Sequence, residues 1–299
     1  MPELPDVIAY IDCLQPRLIG RKLTSARVLS PFLLRTFDPP LESAIGKSVR
    51  SIDRLGKRIV LGLDDELFLV IHLMIAGRFR WQERSATYRP AKIDQAAFEF
   101  ESGRLVLTEA GKKKRAALHV ENGRAALRRH NPGGLEPLDV SLRDFAAALQ
   151  RENHTVKRSL TDPRLLSGIG NAYSDEILHA ARLSPIRLTS KLTPDELVRL
   201  HAATQSTLTT WIERLRVRFK ERFPGPGEIT AFRPEFAVHG KFGQPCPICA
   251  APVQRICYAE NETNYCPGCQ TQGRILADRS LSRLLKNDWP RSLEELEAS

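Results

Sequence analysis

Six cysteines in 299 residues are too few for a disulfide scaffold, and the chain has neither a secretory apolar core near its start nor a long uncharged apolar run. Those absences argue against an exported or membrane-spanning protein and for a cytoplasmic one. No internal repeat and no low-complexity tract occurs, so a solenoid is not expected. The basic segments lack the sustained amphipathic, aromatic-bearing pattern of a helix that lies on a membrane. What is present is positive charge: 45 Lys+Arg against 35 Asp+Glu, a net charge of +10. A polyanion, and above all nucleic acid, is the partner this implies. The runs Lys112-Lys113-Lys114-Arg115, Arg128-Arg129-His130 and Arg214 through Arg222 concentrate that charge locally.

Four of the six cysteines form two pairs, Cys246-Pro247-Ile248-Cys249 and Cys266-Pro267-Gly268-Cys269, separated by sixteen residues. Each Cys-x-x-Cys turn aims two thiolates at one tetrahedral ion, and the stretch between suits two short strands. The pattern predicts a zinc ribbon holding one structural Zn ion through Cys246, Cys249, Cys266 and Cys269. Cys13 and Cys257 remain over and read as small apolar residues.

The chain opens Met1-Pro2-Glu3-Leu4-Pro5-Asp6. Loss of the initiator methionine exposes a secondary amine beside a carboxylate. An α-amino group has a reference pKa near ~7.8 against ~10.4 for lysine, so far more of it is unprotonated at neutral pH. Such an amine attacks a sugar C1′ or an aldehyde and collapses to an iminium, with Glu3 placed to move protons. Taken alone, the hexapeptide equally describes a proline-stiffened lead-in to a strand.

Periodicity divides the chain. Residues 5–16 have helical spacing at Val7, Ile8, Ile11 and Leu14. Short apolar or alternating runs at 22–29, 59–63, 67–73, 98–100 and 105–107 predict an antiparallel β-sandwich. From Ser141 the period becomes helical, over 141–151, 155–166, 172–182 and 194–219, with Thr193-Pro194 as N-cap and first-turn proline. Phe223-Pro224-Gly225-Pro226-Gly227 ends the last helix and suggests a hinge. The expected fold class is α+β: a β-sandwich domain over 1–135, a helical domain over 136–224, a zinc finger over 225–270 and a helical extension over 271–299. In that extension Ile275, Leu276, Leu281, Leu284, Leu285 and Trp289 would give one helix an apolar side. Between two of the earlier helices, Ser167-Gly168-Ile169-Gly170-Asn171 offers close backbone approach and a helix N-terminus suited to phosphate.

Taken in order, Pro2-Glu3-Leu4-Pro5, Gly56-Lys57, His72-Leu73, Gly168-Ile169-Gly170-Asn171-Ala172-Tyr173-Ser174-Asp175-Glu176, Val238-His239-Gly240 and the four cysteines resemble the formamidopyrimidine-DNA glycosylase and endonuclease VIII family of bacterial repair enzymes. The resemblance runs from Pro2 to about Gln270. It implies a β-sandwich, a helix-two-turns-helix domain and a zinc finger around double-stranded DNA containing damaged bases, in a monomer at the nucleoid that needs no nucleotide cofactor. Pro2 is then the nucleophile, Glu3 the acid/base and Lys57 a cationic contact at the lesion. His72, Lys157 and Asn171 are phosphate holders, and Glu176 is a further active-site candidate. The activity implied is excision of oxidised bases, purines first, followed by strand cleavage through a Schiff base and β/δ elimination. Oxidised pyrimidines, abasic sites or bulky lesions are the other substrates, and a damage-binding protein without chemistry or a zinc-ribbon interaction factor are the other functions.

Four places depart from the family pattern. His72-Leu73-Met74-Ile75-Ala76-Gly77 replaces His-Leu-Gly-Met-Ser-Gly, leaving Ile75 or Met74 as the wedge that fills the space of the flipped base. Glu109-Ala110-Gly111-Lys112-Lys113-Lys114-Arg115 replaces Asp-Pro-Arg-Arg-Phe-Gly, with no aromatic to insert opposite the lesion. Asn261 stands where an arginine usually precedes the third cysteine by five residues, and Asp6 where many relatives have Glu.

Overall fold

The computed structural model describes residues 1–84, 87–258, 261–278 and 289–297. They form two compact units, Met1–Pro132 with Trp211–Thr230, and Gly133–Thr210 with Ala231–Ser299.

The first unit begins with helix α1, Leu4–Leu18. Glu3 is its N-cap, in an extended conformation, and donates its backbone N–H to the Asp6 carboxylate at 2.9 Å, so the Asp that replaces Glu still closes a capping box. The hexapeptide is therefore the start of a helix and not the lead-in to a strand. Val7, Tyr10, Ile11, Leu14 and Leu18 repeat at helical spacing and are all buried. Eight strands follow: β1 Leu23–Val28, β2 Val49–Leu55, β3 Arg58–Leu63, β4 Leu67–His72, β5 Gly77–Glu83, β6 Asp94–Phe100, β7 Gly103–Glu109 and β8 Ala117–Asn122. They pair antiparallel in two sheets, β1-β6-β7-β5 and β2-β3-β4-β8. Phe79, Phe98, Leu105 and Leu107 of one sheet share a core with Ile59, Leu61, Leu69, Ile71, Leu118 and Val120 of the other, and with α1. Each such side chain contributes about 1.5–3 kcal/mol when fully buried. The expected sandwich is present. The runs singled out in the sequence omitted β2, β5 and β8, whose few apolar residues stand among Arg, Asp, Gln and His.

The outer face of β3 and β4 carries a small separate cluster of Val60, Phe68 and Val70, with Leu55 and Leu127 against it. Leu127 belongs to helix α2, Gly123–Arg128, which follows β8 directly. The glycine-proline segment after residue 219 is anchored within this unit: Phe223 packs on Tyr10, and Arg222 pairs with Glu228 at 2.5 Å.

In the second unit α3, Leu142–Gln150, is capped by Ser141, and α4, Val156–Thr161, by Thr155. Helix α4 is shorter than its apolar spacing suggests, since Asp162 precedes Pro163 and a residue before proline is driven out of the helical region. Helix α5 covers Asn171–Ala180, and α6, Pro194–Phe219, has its residues up to Thr210 in this unit and the rest in the first. Thr193 and Glu196 cap α6 reciprocally, at 3.2 and 2.9 Å. The hairpin β9, Gln254–Tyr258, with β10, Asn261–Tyr265, precedes the short helix α7, Pro267–Thr271.

Past α7, Ile275 and Leu276 are buried in non-helical chain, and Ile275 N–H donates to the Arg291 carbonyl at 2.9 Å. Leu281, Leu284 and Leu285 of the anticipated helix lie outside the described residues, as does the side chain of Asn261. Among the described residues no helix is long and apolar enough to cross a membrane.

Candidate active site and metal centre

The first residues of the chain enter a charged interior. Pro2 is buried and Glu3 is only 3% exposed. Burial holds the Met1 amine below its ordinary pKa, Arg78 and Lys57 push the same way, and Glu3 and Asp6 oppose them. Lys57 occupies the β2–β3 turn, where Gly56 takes φ 63°, a left-handed conformation that favours glycine. Burial lowers the Lys57 ammonium too, and the attraction of Glu3 only partly restores it. The structure thus gathers Pro2, Glu3 and Lys57, which the motif reading named, and adds Arg78, which it missed.

Arg78, on β5, braces the turn that carries the wedge candidates. Its guanidinium donates to the carbonyls of Ile75 at 3.1 Å, Gly77 at 2.6 Å and Ile229 at 2.6 Å. Gly77 N–H closes the turn on the Leu73 carbonyl at 2.8 Å, and a Cβ at residue 77 would lie 2.2 Å from that oxygen. Met74 is held at φ 52° and is partly buried, whereas Ile75 is 52% exposed at the tip.

His72 ends β4, opposite Arg58 on β3 and Ala117 on β8. Burial, then Arg58, Lys57 and His119, push its imidazole down to about 4, so it is neutral at pH 7. Burial lowers Arg58 as well. The β7–β8 loop is organised by Glu109, 1% exposed, whose carboxylate accepts the N–H of Arg115 at 2.9 Å and of Ala116 at 3.3 Å. The Lys114 ammonium donates to the Glu109 carbonyl, while Lys112 and Lys113 remain exposed.

In the second unit Lys157 is engaged inside the fold. Its ammonium donates to the Asn171 carbonyl at 3.1 Å, Ser174 Oγ at 3.0 Å and Asp175 Oδ1 at 2.5 Å, matching its three donors. Asp175, fully buried, also pairs with His239 Nδ1 at 2.7 Å and accepts Asn264 N–H at 3.1 Å. Asn171 starts α5 and donates its side-chain amide to the Glu262 carbonyl at 2.8 Å, which ties the helix to the hairpin. Glu176 accepts backbone N–H groups from Ala237, Val238 and His239 at 2.8–2.9 Å. Its carboxylate holds the Val238-His239-Gly240 turn in place, a task that helical spacing does not reveal.

The four paired cysteines converge. Cys246 and Cys269 Sγ are 3.8 Å apart, and Cys249 and Cys266 Sγ are 3.3 Å apart. A tetrahedral zinc with Zn–S of about 2.3 Å sets its sulfurs about 3.8 Å apart, so the donor set fits one closed structural ion. Ile248 and Cys269 N–H point at Cys246 and Cys266 Sγ at 3.5 and 3.4 Å, as suits thiolates. His179 Nε2 lies 3.3 Å from Cys246 Sγ and supports that ligand from α5. Gly268 leaves room for Cys249, whose Sγ would be 2.9 Å from an added Cβ. Burial raises Cys13 to about 11 and Cys257 above its ordinary value, so neither is a ready thiolate.

Comparison with known proteins places this geometry. Residues 1–116 match the formamidopyrimidine-DNA glycosylase N-terminal domain and residues 134–220 its H2TH domain. The formamidopyrimidine-DNA glycosylase of Desulforamulus reducens is 31% identical over 279 residues, covering 90% of this chain and 99% of the relative. The chain belongs to the formamidopyrimidine-DNA glycosylase family. A Chloroflexus aurantiacus member is 33% identical over 276 residues, covering 90% of this chain and 98% of its own. Among solved structures, the Lactococcus lactis enzyme complexed with DNA containing an abasic site superposes with TM-score 0.79 at 25% identity, covering 90% of this chain and 99% of that one. The same enzyme with DNA containing an oxidised pyrimidine gives TM-score 0.79 at 26% identity, covering 90% and 100%. With the family, a DNA-repair glycosylase fold of β-sandwich, helix-two-turns-helix and zinc finger is established for this chain.

Proposed function

We propose that this protein excises oxidised bases from double-stranded DNA as a monomer at the bacterial nucleoid, and that it is both glycosylase and AP lyase, with the Pro2 amine as nucleophile once Met1 is removed. The observation that carries the reading is the electrostatics around the chain start. Burial, Arg78 and Lys57 outweigh Glu3 and Asp6 in disfavouring a protonated amine at Met1, and removal of Met1 leaves the Pro2 amine one residue away among the same groups.

The glycosidic carbon is inaccessible in a stacked duplex, so the damaged nucleotide leaves the helix first. The Pro2 nitrogen then bonds to C1′, the glycosidic bond breaks, and the base departs with the electron pair and takes a proton from water. The nitrogen loses its own proton to Glu3. Its lone pair opens the C1′–O4′ bond as Glu3 returns the proton to O4′, and an iminium results. Loss of a C2′ proton expels the 3′ phosphate, loss of a C4′ proton expels the 5′ phosphate, and water releases Pro2.

Lys57 and Arg58 supply the cationic surface for the lesion and its phosphates, His72 adds a neutral imidazole that can hydrogen-bond a phosphate oxygen, and Ile75 fills the vacated stack ahead of Met74. Lys157 acts by fixing the start of α5 and the position of Asn171, since its donors are engaged. The Cys246, Cys249, Cys266 and Cys269 zinc is structural. Oxidised purines are the first substrate class, with oxidised pyrimidines next, because Lys112 and Lys113 replace the arginine and phenylalanine of the family's reading loop.

Borohydride trapping tests the reading on duplexes carrying an abasic site, 8-oxoguanine or an oxidised pyrimidine. A covalent adduct that is lost when Met1 is retained and reduced in Glu3→Gln supports it, and the adduct yields rank the lesions. Binding without an adduct at any of the three, abasic site included, would reassign the chain as a non-catalytic damage binder.

A further inference from the structure

The outer face of the β2-β3-β4-β8 sheet carries a group of side chains that this chemistry does not use. His119 and Glu121 are two residues apart on β8 and so project from one face. His130, just past α2, brings its ring to the same place. His130 Nε2 is 2.7 Å from Glu121 Oε1, and the two imidazole centroids are 4.6 Å apart with planes at 63°. One donor atom from each of the three residues lies within 4.8 Å of the others. Glu121 is 7% exposed, while both histidines keep some access to solvent. A carboxylate so buried calls for positive charge, and the Arg129 guanidinium at 3.3 Å is 74% exposed and therefore well screened. Two imidazoles and a carboxylate with donor atoms this close form the donor set of a borderline divalent ion.

We propose that His119, Glu121 and His130 form a second metal site, separate from the four cysteines, which takes an exchangeable divalent ion of the zinc class with water completing its coordination. Metal–nitrogen and metal–oxygen bonds of about 2.0–2.2 Å place neighbouring donors of a tetrahedral ion about 3.4 Å apart, so the 2.7 Å His130–Glu121 contact opens by about 0.7 Å and the His119 ring swings inward. The short His130–Glu121 hydrogen bond lies where the metal would sit. Burial and His130 hold the His119 imidazole below its usual pKa against the pull of Glu121, so it is a neutral ligand near pH 7. Val70 faces His119 and His72 faces Ala117 across the same pair of strands. The ion therefore adds positive charge two residues along from His72. This site is independent of the proposed reaction, and its test does not read activity.

Full-length protein with its cysteine site filled is dialysed against micromolar free zinc, and bound metal is measured by mass spectrometry. Two equivalents are expected for the wild type and one for Glu121→Gln and for His130→Asn, with the tighter equivalent kept by all. Cobalt loaded at the weaker site should show no thiolate charge-transfer band, and Arg129→Ala should retain both equivalents. A single equivalent in the wild type overturns the proposal, as does a second equivalent that survives both Glu121→Gln and His130→Asn. Should either variant lose its native circular dichroism, His119→Asn, which leaves the buried Glu121–His130 pair intact, decides in its place by the same count.

Discussion

Each unit of the molecule contains a buried charge cluster, and the two are built on opposite rules. In the second unit the anions are satisfied from within: Asp175 has Lys157, His239 and the Asn264 N–H, and Glu176 has three backbone N–H groups. In the first, desolvation depresses the chain-start amine, Lys57, Arg58 and His72 together, and nearby Glu3 outweighs it for none of the groups it reaches. A cluster whose charges are matched holds architecture. A cluster of desolvated basic groups invites an anion from outside, and the Lactococcus lactis relative is complexed with DNA.

The largest effect should come from breaking the matched cluster. Asp175→Asn leaves Lys157 and His239 facing an uncharged amide in the interior, and unfolding in urea should show a loss of about 3–5 kcal/mol. DNA binding should fall with it, because Asn171 and the hairpin lose their common anchor. The unmatched cluster should respond the other way. Lys57→Met removes a charge that burial disfavours, so stability should hold or rise while kcat/KM falls about 100-fold, near 2.7 kcal/mol of transition-state stabilisation. Tolerance of Asp175→Asn together with clear destabilisation by Lys57→Met would erase the distinction between the clusters.

His72 tests the same contrast through pH. Its folded pKa of about 4 lies below the unfolded value of 6.5, so the unfolded chain takes the proton first. The stability His72 contributes is complete above pH 6.5 and is lost as pH falls toward 4, a change of at most about 3 kcal/mol. His72→Gln should flatten that part of the stability profile between pH 4 and 6.5. A bound phosphate should raise the imidazole, so calorimetry near pH 5.5 in buffers of different ionisation enthalpy should detect proton uptake on DNA binding by the wild type and not by the variant.

These contrasts also mark what the sequence makes legible. Local signals announced their structures: Cys-x-x-Cys spacing announced the cluster of four cysteines, Thr193-Pro194 the start of α6, and Pro2-Glu3 and Gly56-Lys57 residues that the fold brings together. The partners of buried charges did not announce themselves. Asp175 stood in the sequence only as part of a motif and Glu176 as an active-site candidate, because the groups they hold, at 237–239 and 264, lie more than sixty residues away along the chain. Arg78 was hidden for another reason: its hydrogen bonds run to backbone carbonyls, which carry no residue signature. Glu109 organises a loop that looked only like a lost motif, and its contribution depends on the N–H groups of Arg115 and Ala116, not on their side chains.

The smallest structural effect separates a residue held for the ligand from one held for the fold. Ile75, 52% exposed at the tip of its turn, has little to lose in the free protein, and Ile75→Ala should change stability by no more than about 0.5 kcal/mol. Met74, partly buried beside it, should cost more on truncation to Ala and should matter less to DNA. If Ile75 enters the vacated stack, Ile75→Ala should weaken binding to a duplex with a flipped lesion far more than to undamaged duplex, as measured by fluorescence anisotropy at one salt concentration. Equal weakening on both duplexes would make the turn a general contact, and selective loss in Met74→Ala would move the wedge by one residue. In either case the apolar tip belongs with the unmatched cations, because the free protein gains almost nothing from exposing it.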